Sequence, residues 1–295
     1  MLTAIWPIFA LICLGFILAR SRFPAGGFWA AAERINYFLL FPALLVASLA
    51  VAPVRDPALW RLGSAAAATL LAAAAVLWVY RRVRPMPAAR FGPALQGCIR
   101  FNTYMALSLL AVLSGPPALQ GAAIFLAIAV PLGNLLSILA LGTTRSPVDI
   151  ARTVLRNPLI LACLAGIVLS LSGIGLPFGT GDFLHLVGQG SLPLGLLCVG
   201  AALQPATLRA DLPGLAATTL ARLLLVPVLA ATIALVFRLP PTEALVLLVF
   251  SAVPAAPTSY VLTRQMNGDG PFMAGIITLQ TIAAALTLPL VLHLA

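Results

Sequence analysis

The chain has 295 residues, of which 62% are hydrophobic and only 8% are charged. Soluble domains carry about 25% charged residues, so this composition excludes a water-soluble fold and predicts an integral membrane protein. The formal net charge is +10 and comes entirely from Arg, because the sequence contains no Lys. Since the Arg residues lie between apolar runs, we attribute them to orientation in a membrane rather than to nucleic-acid binding.

Length and apolar patterning together predict an all-α integral membrane protein with ten transmembrane helices. Each apolar run is close to the roughly 20 residues that a helix needs to cross a bilayer. No run alternates in polarity as the strands of a membrane barrel do, so helices are favoured over a barrel. In chain order, the predicted spans are residues 2–19, 29–51, 58–80, 91–114, 119–142, 157–175, 184–204, 214–237, 242–265 and 272–294.

A proline and a glycine recur in the sequence at a fixed offset of 151 residues. The matching pairs are Pro7 with Pro158, Gly15 with Gly166, and Pro42 with Pro193. Because five spans per copy is an odd number, a second copy would be inverted across the bilayer. We therefore predict a first five-helix repeat at 1–142, a cytoplasmic linker at 143–156 and a second, inverted five-helix repeat at 157–295.

The Arg residues are distributed unequally between alternate links. The links after the odd-numbered spans hold eleven of them, against three in the opposite links. Positively charged loops stay in the cytoplasm, so both termini are predicted to face outward from a bacterial inner membrane. Arg20 and Arg22 follow the first span rather than precede it, which favours a retained span over a cleaved signal peptide.

Span four carries polar side chains within an apolar run. The stretch GCIRFNTYMALS places Arg100, Asn102 and Thr103 inside the predicted membrane segment. Polar groups are costly in lipid, so they usually face a cavity or another helix. Arg100 suits an anion, because a guanidinium pairs bidentately with a carboxylate. Contact with an anion and structural pairing are both left open for this residue.

Span nine contains two prolines, Pro254 and Pro257, followed by Thr258 and Ser259. Proline removes a backbone donor and clashes with the preceding turn, so the pair is predicted to break the span into half-helices. Backbone freed in this way lines a cavity or is buried in protein, and the amides at a half-helix N-terminus attract anions. A kink that only aids packing is the alternative.

Two further polar residues lie in predicted spans. Asn36 opens span two and is a candidate for substrate binding, with packing as its alternative role. Arg222 lies in span eight, where it is expected either to snorkel to the interface or to pair with another group.

The sequence carries no pattern typical of catalysis or of a bound cofactor. GxGxxG, Walker A, GxSxG and HExxH motifs are absent, as is any metal-ligand spacing. The only two histidines, His185 and His293, lie near span ends. We therefore predict no enzymatic activity, no metal and no cofactor, and the coupling ion is left open between H⁺ and Na⁺.

Seven stretches spread over the chain have the order and spacing of a known family. They are INYFLLFPALL, RFNTYMALSLL, VPLGNLLSILAL, RNPLILACLAGIVLSLSGIGLP, LPLGLLCVGAALQP, SAVPAAPTSYVLTRQMNGD and TLQTIAAALTLPLVL. Together they resemble the auxin efflux carrier family of membrane transporters, in its bacterial branch.

The resemblance implies broken spans four and nine that cross at a substrate site. Spans one, two, six and seven would form a scaffold, and spans three to five with eight to ten a mobile transport unit. Asn102 falls on the family's crossover Asn, and Pro254 with Pro257 on the second crossover. Many relatives have a Gly-Asn-Thr-Gly-type crossover, whereas this chain has Arg-Phe-Asn-Thr at 100–103, and the extra cation favours an anion.

Substrates in this family are commonly organic anions, including auxins and small dicarboxylates such as malonate. We therefore expect a secondary carrier of a small organic anion that works by alternating access. Polar groups of the solute would be bound by Asn102, Thr103, Thr258 and Ser259, while Arg100 would neutralise the carboxylate.

The fold also resembles that of the bile acid:sodium symporters, which keeps sodium coupling open. The alternatives are a sodium-coupled symporter of a larger amphipathic anion and a membrane sensor that does not transport. The expected partners are the organic anion and membrane lipid, with no nucleic acid, and assembly into a homodimer is left open.

Overall fold

A computed structural model of the chain describes residues 2–142, 157–209 and 211–293. Throughout these ranges the regular structure is helical and no strand occurs, which agrees with the predicted all-α class. The linker predicted at 143–156 lies outside the described residues.

The described ranges form twelve helices, when a helix with a π-helical turn or a bend is counted as one. In chain order they are α1 (Leu2–Arg20), α2 (Phe28–Ala50), α3 (Pro57–Val83), α4 (Ala88–Ile99), α5 (Thr103–Leu113), α6 (Gly115–Ala140), α7 (Pro158–Ser172), α8 (Thr180–Ala201), α9 (Leu212–Val236), α10 (Pro241–Ala252), α11 (Thr258–Gln265) and α12 (Gly270–His293). A short 3₁₀ turn at Pro205–Arg209 precedes α9.

Six of these helices are long and apolar enough to cross a bilayer, namely α2, α3, α6, α8, α9 and α12. Three shorter helical stretches are also strongly apolar, at Ile5–Arg20, Pro158–Ser172 and Pro241–Ala252. The segments predicted as spans four and nine are each divided into two short helices, α4 with α5 and α10 with α11. The two divisions position the candidate site described below.

Several helix starts follow directly from local sequence. Asp56 precedes α3 and its carboxylate accepts a hydrogen bond from the Ala58 amide at 2.8 Å. Asn157 caps α7 in the same way, accepting from the Leu159 amide at 2.9 Å. In both cases a proline occupies the first helical position, where its missing N–H leaves no donor unsatisfied.

Glycine allows close approach in two helix pairs. A Cβ on Gly166 of α7 would lie 2.6 Å from Leu49 Cβ of α2, and a Cβ on Gly15 of α1 would lie 2.8 Å from Leu197 Cα of α8. Both separations are shorter than real Cβ contacts allow. Small residues at such positions let helix backbones meet in a membrane, where van der Waals packing drives association.

An aromatic cluster surrounds the divisions. The rings of Phe125 on α6 and Phe250 on α10 stack with centroids 4.2 Å apart, and Phe101 contacts both edge-on at 5.3 and 5.2 Å. Phe101 lies between α4 and α5, so this packing fixes the position of that non-helical stretch against α6 and α10. All three side chains are buried.

Arg90 joins the starts of three helices at one end of the bundle. Its guanidinium forms ion pairs with Asp211, which caps α9, and with Asp269, which precedes α12. The Asp269 amide also donates to the Ala89 carbonyl at 2.8 Å. These contacts hold α4, α9 and α12 together independently of the divisions.

We expect the substitution Gly166→Leu to destabilise the protein by about 1–3 kcal/mol, because the added side chain overpacks the contact between α7 and α2. The measurement is thermal unfolding of the purified protein in detergent. Gly26→Leu is the matched control, since no atom lies within 4 Å of a Cβ at that position. Equal melting temperatures for the two variants would contradict the close contact.

Candidate functional site

The two helix divisions contact each other through the backbone. Residues 100–102 separate α4 from α5, and residues 253–257 separate α10 from α11. The Asn102 amide donates a hydrogen bond to the Pro254 carbonyl at 2.8 Å. We call these two non-helical stretches together the crossover.

The two divisions have different local causes. Pro254 and Pro257 both lie between α10 and α11, and Pro257 directly precedes the first residue of α11. No proline lies at 100–102. There the Asn102 side chain caps α5, accepting from the Met105 amide at 3.2 Å. Capping of this kind favours a helix start at the next residue, and Thr103 is that residue.

Four half-helix ends therefore lie around the crossover. The C-termini of α4 and α10 present carbonyls and carry partial negative charge, whereas the N-termini of α5 and α11 present amides and carry partial positive charge. The backbone between them has extended conformations at Arg100 and Val253. The crossover thus has one region that favours cations and one that favours anions.

Arg222 occupies the cation-favouring region. Its Nε, Nη1 and Nη2 atoms donate to the carbonyls of Val253, Cys98 and Phe250 at 2.8, 2.9 and 2.6 Å. The side chain is 2% exposed. It starts from a π-helical turn of α9, Ala221–Leu225. Snorkelling to the interface was one of two roles predicted for Arg222, and it is wrong because the side chain is buried and its guanidinium bonds to these three carbonyls.

Gln280 of α12 joins the second stretch of the crossover to the last turns of α4. Its Oε1 atom accepts from the Ala255 amide at 2.9 Å, and its Nε2 atom donates to the Gly97 carbonyl at 3.0 Å. Nε2 also lies 3.3 Å from the Thr218 carbonyl. Arg222 and Gln280 together supply hydrogen bonds to backbone groups that the two divisions remove from helical pairing.

Arg100 directly follows α4, and its side chain extends to the first residue of α11. Its Nη2 atom donates to Thr258 Oγ1 at 3.1 Å, and its Nη1 atom lies 3.4 Å from Gln96 Oε1. Gln96 Nε2 in turn donates to Thr263 Oγ1 at 3.0 Å. Within the described ranges the ion pairs involve Arg90, and no carboxylate pairs with Arg100.

The accessible residues of the crossover and of the first turns of α5 and α11 are polar or lie next to helix N-termini. Arg100, Thr103, Pro257 and Thr258 are partly exposed. Asn102 and Ser259 are buried, and neither Asn102 Nδ2 nor Ser259 Oγ has a hydrogen-bond partner among the described residues. A solute at this surface would therefore meet the guanidinium of Arg100 and the hydroxyl groups of Thr103 and Thr258.

The predicted residues fall into two groups. Residues from both divided spans meet at the crossover, namely Arg100, Asn102, Thr103, Pro254, Pro257, Thr258 and Ser259. Asn36 lies further away, in a π-helical turn of α2, where its Nδ2 donates to the Ser191 carbonyl of α8 at 3.0 Å. Asn36 Nδ2 lies beside Gly195 of α8, and the ring of Tyr104, the second residue of α5, lies beside the same glycine.

Sequence reasoning missed the crossover roles of Arg222, Gln280 and Gln96. For Arg222 the available signal was its charge in the middle of an apolar span, since such a residue is a functional candidate by default. Gln280 and Gln96 carry no comparable signal, because a neutral amide in a span also suits ordinary contacts between helices.

Comparison with known proteins assigns the chain to a family. A family model described as "Membrane transport protein" matches residues 143–292, half of the chain. None of the curated proteins matches. The matched half contains α7 to α12, and so it includes the second division, Arg222 and Gln280. The chain therefore belongs to the membrane transport protein family, known as the auxin efflux carrier family, and is a multi-pass membrane transporter.

Proposed function

We propose that this transporter is a secondary carrier of a small organic anion that binds at the crossover. The observation that carries the proposal is Arg100, a partly exposed cation beside the first turn of α11 with no carboxylate partner among the described residues. A guanidinium and a helix N-terminus both favour a carboxylate. The two together therefore favour an anionic solute over a neutral or cationic one.

Each polar group at the surface of the crossover has a separate role in this proposal. Arg100 neutralises the carboxylate, while Thr258 and Thr103 offer hydroxyls beside the two helix N-termini. Asn102 Nδ2 and Ser259 Oγ are buried groups without a partner in the described ranges, and in this proposal a solute that enters between the half-helices satisfies them. Buried polar groups left unpaired are costly, which gives solute binding a favourable contribution beyond charge.

The proposed architecture is ten spans in two inverted five-helix repeats. Six long helices, two shorter apolar ones and the two divided segments supply the ten candidates. The glycine contacts support the repeat. Gly15 joins the first span to the seventh, and Gly166 joins the sixth to the second, so exchanging the two repeats converts one contact into the other.

Movement in this proposal takes place between two groups of helices. The glycine contacts pair α1 with α8 and α2 with α7, and these four helices form the scaffold. Both divided spans belong to the other group, which would rock or slide against the scaffold and expose the crossover to each side of the membrane in turn. The proposed location is a bacterial inner membrane with both termini outside, as the Arg distribution favours.

We expect the substitution Arg100→Gln to lower the ratio of the maximal uptake rate to KM by about 10- to 100-fold, because hydrogen bonds to charged groups contribute about 1.5–3 kcal/mol. The measurement is uptake of labelled indole-3-acetate, malonate and succinate into proteoliposomes. Arg55→Gln is the matched control, since Arg55 is exposed and outside the crossover. Equal uptake by both variants would remove Arg100 from the mechanism.

We expect Asn102→Ser to weaken substrate binding by up to about 10-fold while leaving the melting temperature near that of the wild type. Serine is as good a helix cap as asparagine, so α5 keeps its start, but the unpaired Nδ2 donor is lost, and one neutral hydrogen bond contributes about 0.5–1.5 kcal/mol. Concentration dependence of uptake and thermal unfolding are measured on the same preparation. Unchanged substrate affinity would exclude Nδ2 as a contact.

The same assays separate the other two functions considered for this chain. A sodium-coupled symporter of a larger amphipathic anion would require a sodium gradient and would accept bile-acid-like solutes in place of the three small anions. A sensor would bind one of these anions, raising the melting temperature, without moving it into vesicles.

A further inference from the structure

Arg222 is the one charged residue that is buried within the described ranges. Its guanidinium bonds to carbonyls alone, and no carboxylate of the described residues pairs with it. A buried charge is costly unless it is paired or fully hydrogen-bonded. The surroundings of Arg222 must therefore favour a cation strongly.

The favourable surroundings are the C-termini of two half-helices. Cys98 belongs to the last turn of α4, Phe250 to the last turn of α10, and Val253 follows α10 directly. Carbonyls at these positions lack an intrahelical partner and carry the negative end of the helix dipole. In transporters with divided helices, carbonyls of this kind are the general means of holding a coupling Na⁺.

We propose that Arg222 is a tethered cation that occupies the carbonyl site of the crossover, so that neither folding nor transport requires a bound sodium ion. The statement about transport rests on the proposed carrier function, whereas the statement about folding does not. Since α4, α9 and α10 all belong to the proposed moving unit, the guanidinium would keep both half-helix ends joined throughout the transport cycle.

The space beside Arg222 also disfavours an additional cation. A cavity of about 10 Å³ is lined by residues that include Arg222, Cys98, Phe250 and Ser251. That volume is close to the minimum for one water molecule. A metal ion placed there would lie close to a residue of like charge, which is unfavourable in a medium of low dielectric constant.

The first experiment uses the wild-type protein. We expect the same melting temperature and the same uptake of labelled malonate, indole-3-acetate or succinate, whichever is transported, when NaCl is replaced by choline chloride at equal ionic strength. Stabilisation of the protein by several degrees in sodium, or a several-fold rise in uptake, would overturn the proposal. The melting temperature is informative even if none of these anions is transported.

The second experiment removes the guanidinium from the carbonyl site. We expect Arg222→Ala to lower the melting temperature by about 10 °C, since three carbonyls lose their donors. Methylguanidinium at about 10 mM, well below denaturing concentrations, is expected to restore at least a third of this loss. Tetramethylammonium at the same concentration has no N–H or O–H group to donate and is expected to restore none of it.

Arg61→Ala is the matched control, because Arg61 also donates to a backbone carbonyl, that of Arg238 at 3.1 Å, but on the exposed surface. Methylguanidinium should not stabilise this variant. Equal effects on the two variants, or no effect on folded Arg222→Ala, would overturn the proposal.

If Arg222→Ala does not fold, Arg222→Lys provides the test. Lysine keeps the charge with fewer donors in a different geometry, so we expect a folded protein with a melting temperature between those of the alanine variant and the wild type. The neutral variant Arg222→Met is compared with it. If Arg222→Met folds and Arg222→Lys does not, the site does not require a cation, and the proposal is overturned. If the melting temperatures change as expected but no uptake is detected, the carrier function is contradicted and the proposed role of Arg222 in folding is not.

Discussion

The structure depends on satisfying the backbone groups that two interrupted helices release inside the membrane. Lipid offers no hydrogen bonds, so each freed carbonyl and amide needs a partner from the protein. Three residues provide most of these partners. Arg222 bonds three carbonyls, Gln280 bonds an amide and a carbonyl, and Asn102 bonds across the crossover and caps the helix that follows it. Without them, the divided helices would expose unpaired groups in an apolar surrounding.

The need to satisfy these backbone groups also gives the two arginines near the crossover different roles. Arg222 and Gln280 satisfy carbonyls at the C-terminal ends, which leaves that region electrically compensated. Arg100 lies beside a helix N-terminus, where its own charge adds to the dipole instead of cancelling it. Two arginines of identical chemistry are thus in opposite situations: one completes a set of hydrogen bonds, and the other retains capacity for a further partner.

Local features of this structure could be predicted from the sequence, and long-range ones could not. Pro254 and Pro257 predicted the second division because proline acts on its own turn. The role of Arg222 depends on Cys98, 124 residues away, and Arg222 itself lies in a π-helical turn. Gln280 reaches Gly97 over 183 residues. Contacts of this kind follow from helix packing, which no local pattern encodes.

The hydrogen bond between Asn102 and Pro254 has a consequence for the geometry of the crossing. Two extended segments normally exchange bonds in both directions, which fixes their mutual angle as in a sheet. Proline has no amide proton, so Pro254 accepts a bond and returns none. A single bond sets the distance between the segments while leaving rotation about it unconstrained, and the angle between the two chain directions is therefore determined by the side chains packed around them.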